Sequence, residues 1–170
     1  TQCLGWPRLR QDRPPDVMRG EETQIAGFLG LNPEFDGVLC LPGTHTKWVQ
    51  LSAGEVVSFQ TFMTGELYAA LQAPTVLRHS LGAPGWDGEA FDAAVEDGLA
   101  YPQKLAARRF GLRAGHLLQA QTPAVTRARL SGHLIGAELA AARPYWLGLP
   151  VAGIGSGDQS GAYVRALSTQ

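Results

Sequence analysis

Three short apolar segments in the first half of the chain predict the strands of a β-sheet. Val38–Leu41 is a continuous apolar run of strand length, which is typical of a strand covered on both faces. Two more strand-like runs follow at Thr46–Leu51 and Glu55–Phe62, and Ser52-Ala53-Gly54 between them favours a hairpin turn. The residues between the first two runs, Pro42–His45, predict a tight reversal.

Helical spacing predicts helices on either side of these strands. A helix should begin after Gly20, because Glu21 and Glu22 suit its positive N-terminal end, and it should end near Asn32-Pro33. Its apolar stripe consists of Ile25, Phe28 and Leu29. Since Glu21 falls at the end of this stripe, we expect its side chain to point inward. A second helix should follow Thr64, which is a suitable N-cap residue.

The rest of the chain predicts a helical stretch and then a final strand, turn and helix. Residues 84–143 have a helical pattern, and Thr122-Pro123 is a typical start for a long helix that reaches Arg143. Gly132 and Gly136 within it would permit close packing against a neighbour. A strand at Leu149–Gly153 and a helix from Asp158 to Leu167 complete an α/β domain with a mixed sheet. The proline-rich stretch Thr1–Asp16 predicts a connector without regular structure.

Composition excludes several classes of function. The 170 residues are 45% apolar with a net charge of -1, so we expect neither a nucleic-acid partner nor a membrane surface. No apolar run approaches the ~20 residues of a membrane span. Two cysteines without metal spacing suit a reducing cytoplasm. The histidines lack metal-ligand spacing and the serines lack a nucleophile-elbow context, so we expect no protein-held transition metal and no Ser-His hydrolase.

Three segments could carry chemistry, and each also has an ordinary structural explanation. The first is the helix start after Arg19. The carboxylate of Glu21 would stay ionised there and could accept a proton from a substrate hydroxyl. It could equally be an ordinary helix-start residue.

The second segment is the predicted reversal before the second strand. Gly43 lets the backbone approach a ligand, and consecutive N–H groups with the Thr44 hydroxyl could bind a phosphate. Lys47 could reach the same place or point to solvent. A conventional hairpin turn is the alternative.

The third segment follows the last predicted strand. Gly153, Gly155 and Ser156 lie between a buried strand and a helix, where backbone can contact a nucleotide. A plain strand-to-helix turn is the alternative, because neither the P-loop nor the dinucleotide pattern is complete.

Four sequence blocks together resemble the 2-dehydro-3-deoxygalactonokinase family of the actin/hexokinase-like ATPase superfamily. The resemblance covers roughly residues 14–167, and the first two blocks are its most specific part. The blocks are MRGEETQ from Met18, LPGTHTKWV from Leu41, TFMTGEL from Thr61 and LSGHLIGAE from Leu130.

The resemblance implies an incomplete ribonuclease H-like, actin-like ATPase fold. Residues 1–36 would be a connector and hinge helix from a first domain, and residues 37–170 a second, nucleotide-binding domain. Full-length relatives begin with an Asp-Trp-Gly-Thr/Ser hairpin that has no counterpart here, so we expect these 170 residues alone to be inactive. A homodimer is possible by the same resemblance.

The implied reaction uses ATP and Mg²⁺ to phosphorylate 2-dehydro-3-deoxy-D-galactonate at its 6-hydroxyl, with the sugar acid and ATP as small-molecule partners. By resemblance to glycerol-kinase-type enzymes, Glu21 would be the catalytic base, and Gly43-Thr44, with His45 and Lys47, the phosphate-binding segment. Gly153, Gly155 and Ser156 would bind the nucleotide, although Ile154 interrupts the usual glycine pair. The other substrate-binding residues implied are Arg19, Glu22, Glu66 and His79. A kinase for another sugar acid, or an inactive nucleotide-binding fragment, remains an alternative.

Overall fold

The computed structural model describes residues 9–155 and 157–170 as a four-stranded sheet with helices and a small hairpin packed against it. The strands are β1 (Arg10–Asp12), β2 (Pro15–Val17), β3 (Gly37–Leu41), β4 (Thr46–Ser52), β5 (Glu55–Phe62) and β6 (Val151–Gly153). The α-helices are α1 (Glu21–Leu31), α2 (Thr64–Gln72), α3 (Gly88–Ala100), α4 (Leu105–Leu118), α5 (Pro123–Ala141), α6 (Arg143–Trp146) and α7 (Gly157–Ser168).

The sheet is mixed, as the sequence predicts. Its strand order is β5-β4-β3-β6, with β3 parallel to β6 and the other neighbours antiparallel. Because β3 and β6 are parallel, their carboxyl ends lie at the same edge of the sheet. The first residues of β4 lie at that edge too, since Leu41 pairs with Lys47.

Side chains alternate along the central strands and supply two separate cores. Val38, Cys40 and Trp48 pack against α3, α5 and α7. Leu39 and Val49 project from the opposite face and pack against a layer that includes α1. Every residue of β3 is buried, which explains why this strand is a continuous apolar run.

Close contact between α3 and α5 depends on glycine. A Cβ on Gly132 would lie 2.5 Å from the carbonyl oxygen of Phe91, and one on Gly136 would lie 2.3 Å from that of Val95. The prediction that these two glycines permit close packing is confirmed. The long helix begins as predicted, because the Thr122 hydroxyl accepts from the backbone N–H of Val125.

Two predicted features are wrong. Part of the expected connector is regular: β1 and β2 form an antiparallel pair despite Pro14 and Pro15, since two-stranded hairpins tolerate proline at a turn and on an exposed edge. Thr64 is the first residue of α2 and makes no cap. Its buried side chain instead lies beside Glu138 on α5 and lowers the pKa of that carboxyl.

In the described part of the chain, no helix combines the length and the apolar content that crossing a membrane would require.

Candidate active site

Glu21 begins α1 and is held by two groups. The backbone N–H of Arg19 donates to Glu21 Oε2 at 3.0 Å, and Lys47 Nζ lies 3.9 Å from Glu21 Oε1. Gly20, with φ of 112°, allows the chain to turn back at this point. The Glu21 side chain is 28% exposed, so it is oriented by protein contacts and still reachable from solvent. The neighbouring Glu22 is buried more deeply, at 8% exposed.

Lys47 is buried rather than solvent-facing. Its side chain is 5% exposed and leaves β4 on the face that carries α1. Lys47 Nζ donates to the Val17 carbonyl oxygen at 3.0 Å and to Thr61 Oγ1 at 2.9 Å. A buried ammonium needs such partners, and together they direct the charge toward Glu21.

Asp16 supports this arrangement, although no sequence pattern singles it out. Its carboxylate accepts from the backbone N–H and the hydroxyl of Thr61, each at 2.7 Å. Asp16 thereby fixes Thr61, whose hydroxyl oxygen accepts from the Lys47 ammonium. Asp16 looked like the end of a connector, because only the hairpin brings it beside β5.

The reversal between β3 and β4, residues 42–45, is in contact with the start of α2. The backbone N–H of Glu66 donates to the Thr44 carbonyl oxygen at 2.9 Å. His45 Nε2 lies 2.5 Å from Glu66 Oε2, with both side chains about half exposed. The structure therefore brings together two residues, His45 and Glu66, that were selected from separate sequence blocks. Thr44 is exposed beside them.

The glycine segment after β6 approaches the same turn. The backbone N–H of Ile154 donates to the Cys40 carbonyl oxygen at 2.9 Å. A Cβ on Gly155 would lie 3.6 Å from Pro42. Gln159 Nε2 on α7 donates to the Gly43 carbonyl oxygen at 3.2 Å. Gly153 and Gly155 thus lie beside the 42–45 turn, as β3–β6 pairing requires, whereas Ser156 lies outside the described residues.

A cavity of about 800 Å³ opens beside this turn. It lies between α2, α5 and α7, and two of its lining residues, Gly65 and Gln159, contact the Gly43 carbonyl oxygen. Tyr68 and Trp86 contribute aromatic rings, and Arg127 and Arg165 contribute positive charge. Sequence reasoning did not identify this cavity, because its walls come from segments that are distant in the chain.

The remaining predicted residues are less closely connected to this centre. Arg19 is exposed beside Glu21, and the Glu22 carboxylate accepts from the backbone N–H of Gly20 at 2.7 Å. His79 is exposed on the 3₁₀ helix Val76–Ser80, which packs against α4. Among the described residues, His79 makes no hydrogen bond or ion pair with the residues around Glu21 or with the 42–45 turn.

Among the described residues, no group of three or more His, Cys, Asp or Glu side chains is placed to hold a metal ion. A divalent ion that is carried by substrate phosphates needs only one or two protein ligands.

Comparisons with known proteins agree with the resemblance in the sequence blocks. A probable 2-dehydro-3-deoxygalactonokinase of Rhizobium meliloti is 43% identical over 138 residues, which are 78% of this chain and 44% of that protein. The 2-dehydro-3-deoxygalactonokinase of Escherichia coli is 40% identical over 137 residues, 81% of this chain and 46% of its own length.

A solved structure matches in three dimensions as well. The crystal structure of a candidate 2-dehydro-3-deoxygalactonokinase from Sinorhizobium meliloti superposes with a TM-score of 0.88 at 39% identity, covering 95% of this chain and 55% of that one. The chain therefore spans about half the length of the relatives that it matches. The sequence pattern of the 2-keto-3-deoxy-galactonokinase family matches residues 6–170, and this chain belongs to that family.

Proposed function

We propose that the protein containing these residues is an ATP-dependent kinase that transfers a phosphoryl group to the 6-hydroxyl of 2-dehydro-3-deoxy-D-galactonate. Family membership supports the reaction type, since the matched relatives carry that name. Residues 37–170 would form the nucleotide-binding domain, and residues 1–36 the connector and hinge helix of another.

One observation carries the proposal. The 42–45 turn lies between a positioned carboxylate and a cavity large enough for a nucleotide. Lys47 follows the turn closely in the chain, and its side chain leaves one face of the sheet. There its Nζ lies 3.9 Å from Glu21 Oε1. On the other side, Gln159 contacts the Gly43 carbonyl oxygen and also lines the cavity. A phosphate at this turn would stand between an acceptor hydroxyl and the rest of ATP.

The cavity suits the base and ribose of a nucleotide. Its volume of about 800 Å³ falls within the range of roughly 300–1,000 Å³ that is usual for ligand pockets. The rings of Tyr68 and Trp86 offer stacking surfaces. Gly153 and Gly155, beside the 42–45 turn, would contact the nucleotide through their backbone.

The proposed chemistry needs little from the protein beyond positioning and charge. The Glu21 carboxylate would accept the proton of the sugar-acid hydroxyl as its oxygen bonds to the γ-phosphorus. The bond from that phosphorus to the bridging oxygen breaks, and ADP leaves. The Thr44 hydroxyl and neighbouring backbone N–H groups, with His45, would bind the transferring phosphoryl group. Arg19 would bind the substrate carboxylate, and Glu22, Glu66 and His79 are the other residues proposed for the substrate.

Mg²⁺ bound to the ATP phosphates would neutralise their charge. The residues at hand fit that role, because Thr44 is exposed within the turn and Glu66 lies next to it. The proposal does not require a site in which protein side chains alone hold the ion.

Replacing Glu21 by glutamine tests the proposal in a chain of the relatives' full length. Glutamine keeps the shape but cannot accept the proton, so we expect kcat to fall by roughly 10²–10⁴ while ATP affinity changes little. Initial rates of ADP release with the sugar acid give kcat and KM.

Glu55→Gln is the control, because Glu55 is an exposed carboxylate at the start of β5. Unchanged turnover in Glu21→Gln would remove Glu21 from the mechanism. Comparing several aldonic and 2-keto-3-deoxy acids separates this reaction from that of a kinase for another sugar acid. ATP binding without any transfer would favour a non-catalytic nucleotide-binding protein.

A further inference from the structure

Glu138 on α5 is a buried carboxylate that the proposed reaction does not use. The residue is 3% exposed. Trp48 Nε1 donates to its Oε1 at 2.8 Å, and Tyr163 Oη is hydrogen-bonded to its Oε2 at 2.6 Å. The buried side chain of Thr64 is a third polar neighbour and lowers the pKa of this carboxyl. Within residues 9–155 and 157–170, the carboxylate has no ion-pair partner.

Each of these partners comes from an element that borders the 42–45 turn or the cavity. Trp48 belongs to β4, which begins one residue after the turn. Thr64 is the first residue of α2, whose Glu66 contacts both Thr44 and His45. Tyr163 belongs to α7, which follows the Gly153–Gly155 segment. The Tyr163 hydroxyl also lies 2.8 Å from Thr46 Oγ1, directly beside the turn.

We propose that Glu138 is a positioning residue that fixes β4, α2 and α7 relative to one another and so holds the phosphate turn against the nucleotide cavity. The inference rests on the proposed function for what the turn and cavity bind. It extends that proposal to a residue that would touch neither substrate nor nucleotide. The Glu138 network is defined here as Glu138, Trp48, Thr64, Tyr163 and Thr46.

Physical cost is the reason to assign Glu138 a specific role. Burying a carboxylate without a cation is unfavourable, and it is tolerated only when hydrogen bonds satisfy it. Burial raises the pKa of Glu138, whereas the polar side chains of Thr64, Tyr163 and Trp48 around it lower that pKa. An apolar residue would fill the same space at less cost, but it could not join β4 and α7 to α5 with directional bonds.

The geometry of the network also limits movement. The indole N–H of Trp48 can only donate, so one carboxylate oxygen must face β4. The other oxygen then faces Tyr163, which is itself bonded to Thr46. Tyr163 and Thr64 line the cavity, so a shift of the carboxylate would move the cavity wall and the turn together.

Two variants of Glu138 test the proposal in the 170-residue chain. Glu138→Gln keeps an acceptor for Trp48, and Glu138→Leu removes all acceptors at similar volume. Leu51→Ala is the stability control, because Leu51 is fully buried near the far end of β4 and packs in a cluster that does not line the cavity. Amide hydrogen exchange reports local order, and titration calorimetry reports ADP affinity.

In Glu138→Leu we expect faster exchange at residues 42–46, in the first turn of α2 and around Tyr163, and ADP affinity about tenfold weaker, since loss of the acceptor strands buried donors. Glu138→Gln should retain most of the local protection from exchange and most of the ADP affinity. Leu51→Ala should lower the unfolding midpoint without these changes. If Glu138→Leu does not fold, Tyr163→Phe removes one network bond, and faster exchange is then expected at residues 42–46 and in α7.

Exchange that rises equally throughout the chain, or that stays unchanged at the three segments, would overturn the proposal. So would faster local exchange with unaltered ADP affinity. If the unsubstituted chain binds no ADP, the nucleotide assignment of the cavity fails. The exchange pattern then decides by itself whether Glu138 fixes the three elements.

Discussion

At the scale of single residues, the site depends on how Lys47 is used. The sequence allowed a phosphate-binding role or a solvent-facing one. The solvent-facing alternative is wrong, since the ammonium is buried among Val17, Thr61 and Glu21. Its ion pair with Glu21 supports a role in orienting the proposed base, whereas phosphate binding would require the ammonium to turn toward Thr44.

Lys47→Met separates these two roles in a chain of the relatives' full length. If Lys47 orients Glu21, we expect kcat to fall about 10- to 100-fold, the scale for a misplaced catalytic group, while KM for ATP stays within about threefold. Methionine retains most of the apolar stem, so packing should change little. Initial rates over a range of ATP concentrations give both constants.

Lys104→Met is the matched control, because it is the chain's other lysine and is exposed against the ring of Tyr101. A large rise in KM for ATP with little change in kcat would show instead that Lys47 binds phosphate.

Residue identity alone could indicate Glu21, the 42–45 turn and the glycines after β6, because each lies at the end of a predictable element. It could not indicate Asp16 or Tyr163. Asp16 functions through a hairpin that its prolines seemed to forbid. Tyr163 meets Thr46 across 117 positions of sequence. Such pairs form only when distant segments pack together, and local patterns carry no record of that packing.

At the scale of elements, sequence periodicity predicted the strands β3 to β5 and the helices α1 and α5 closely. These elements have strong local signals: a continuous apolar run, a hairpin turn, or a threonine-proline start. The weakest predictions concerned the ends of elements that tertiary contacts decide. Thr64 illustrates this, because its side chain is buried beside a carboxylate on α5 and caps no helix.

The packing of α3, α4 and α5 predicts a pH-dependent stability. Burial and the neighbouring Arg109 lower the pKa of His133 to about 4 from 6.5, against the opposing effect of Asp97. His133 Nε2 lies 3.4 Å from Asp97 Oδ2, and its side chain is 10% exposed. Because the folded pKa is depressed, the unfolded chain binds the extra proton first as pH falls.

This group's contribution is therefore fully present above about pH 6.5 and is lost as pH falls toward 4. The shift corresponds to about 3 kcal/mol of unfolding free energy. Over this pH interval, we expect the free energy of unfolding of His133→Gln to fall by that much less than the free energy of unfolding of the unsubstituted chain. Urea denaturation at several pH values measures it. The exposed His79 provides the control variant His79→Gln, and parallel pH profiles for the unsubstituted chain and His133→Gln would contradict the prediction.

At the scale of the whole molecule, the proposed function assigns to these 170 residues one part of a site that the longer relatives would complete. The matched relatives share only 44% and 46% of their lengths with this chain. The parts present are the carboxylate at Glu21, the 42–45 turn and the cavity beside it. This division predicts that nucleotide binding and phosphoryl transfer can be separated experimentally.

We expect the 170-residue chain to bind ADP but to transfer phosphate at least about a thousandfold more slowly than a full-length relative, because positioning and exclusion of water supply most of the rate in phosphoryl transfer. ADP should quench the fluorescence of Trp86, which is 47% exposed in the cavity wall. Trp86→Phe should abolish that signal while calorimetry still detects binding. Transfer close to the full-length rate would mean that the catalytic centre lies entirely within these residues. Absence of ADP binding by either method would contradict the assignment of this cavity to the nucleotide.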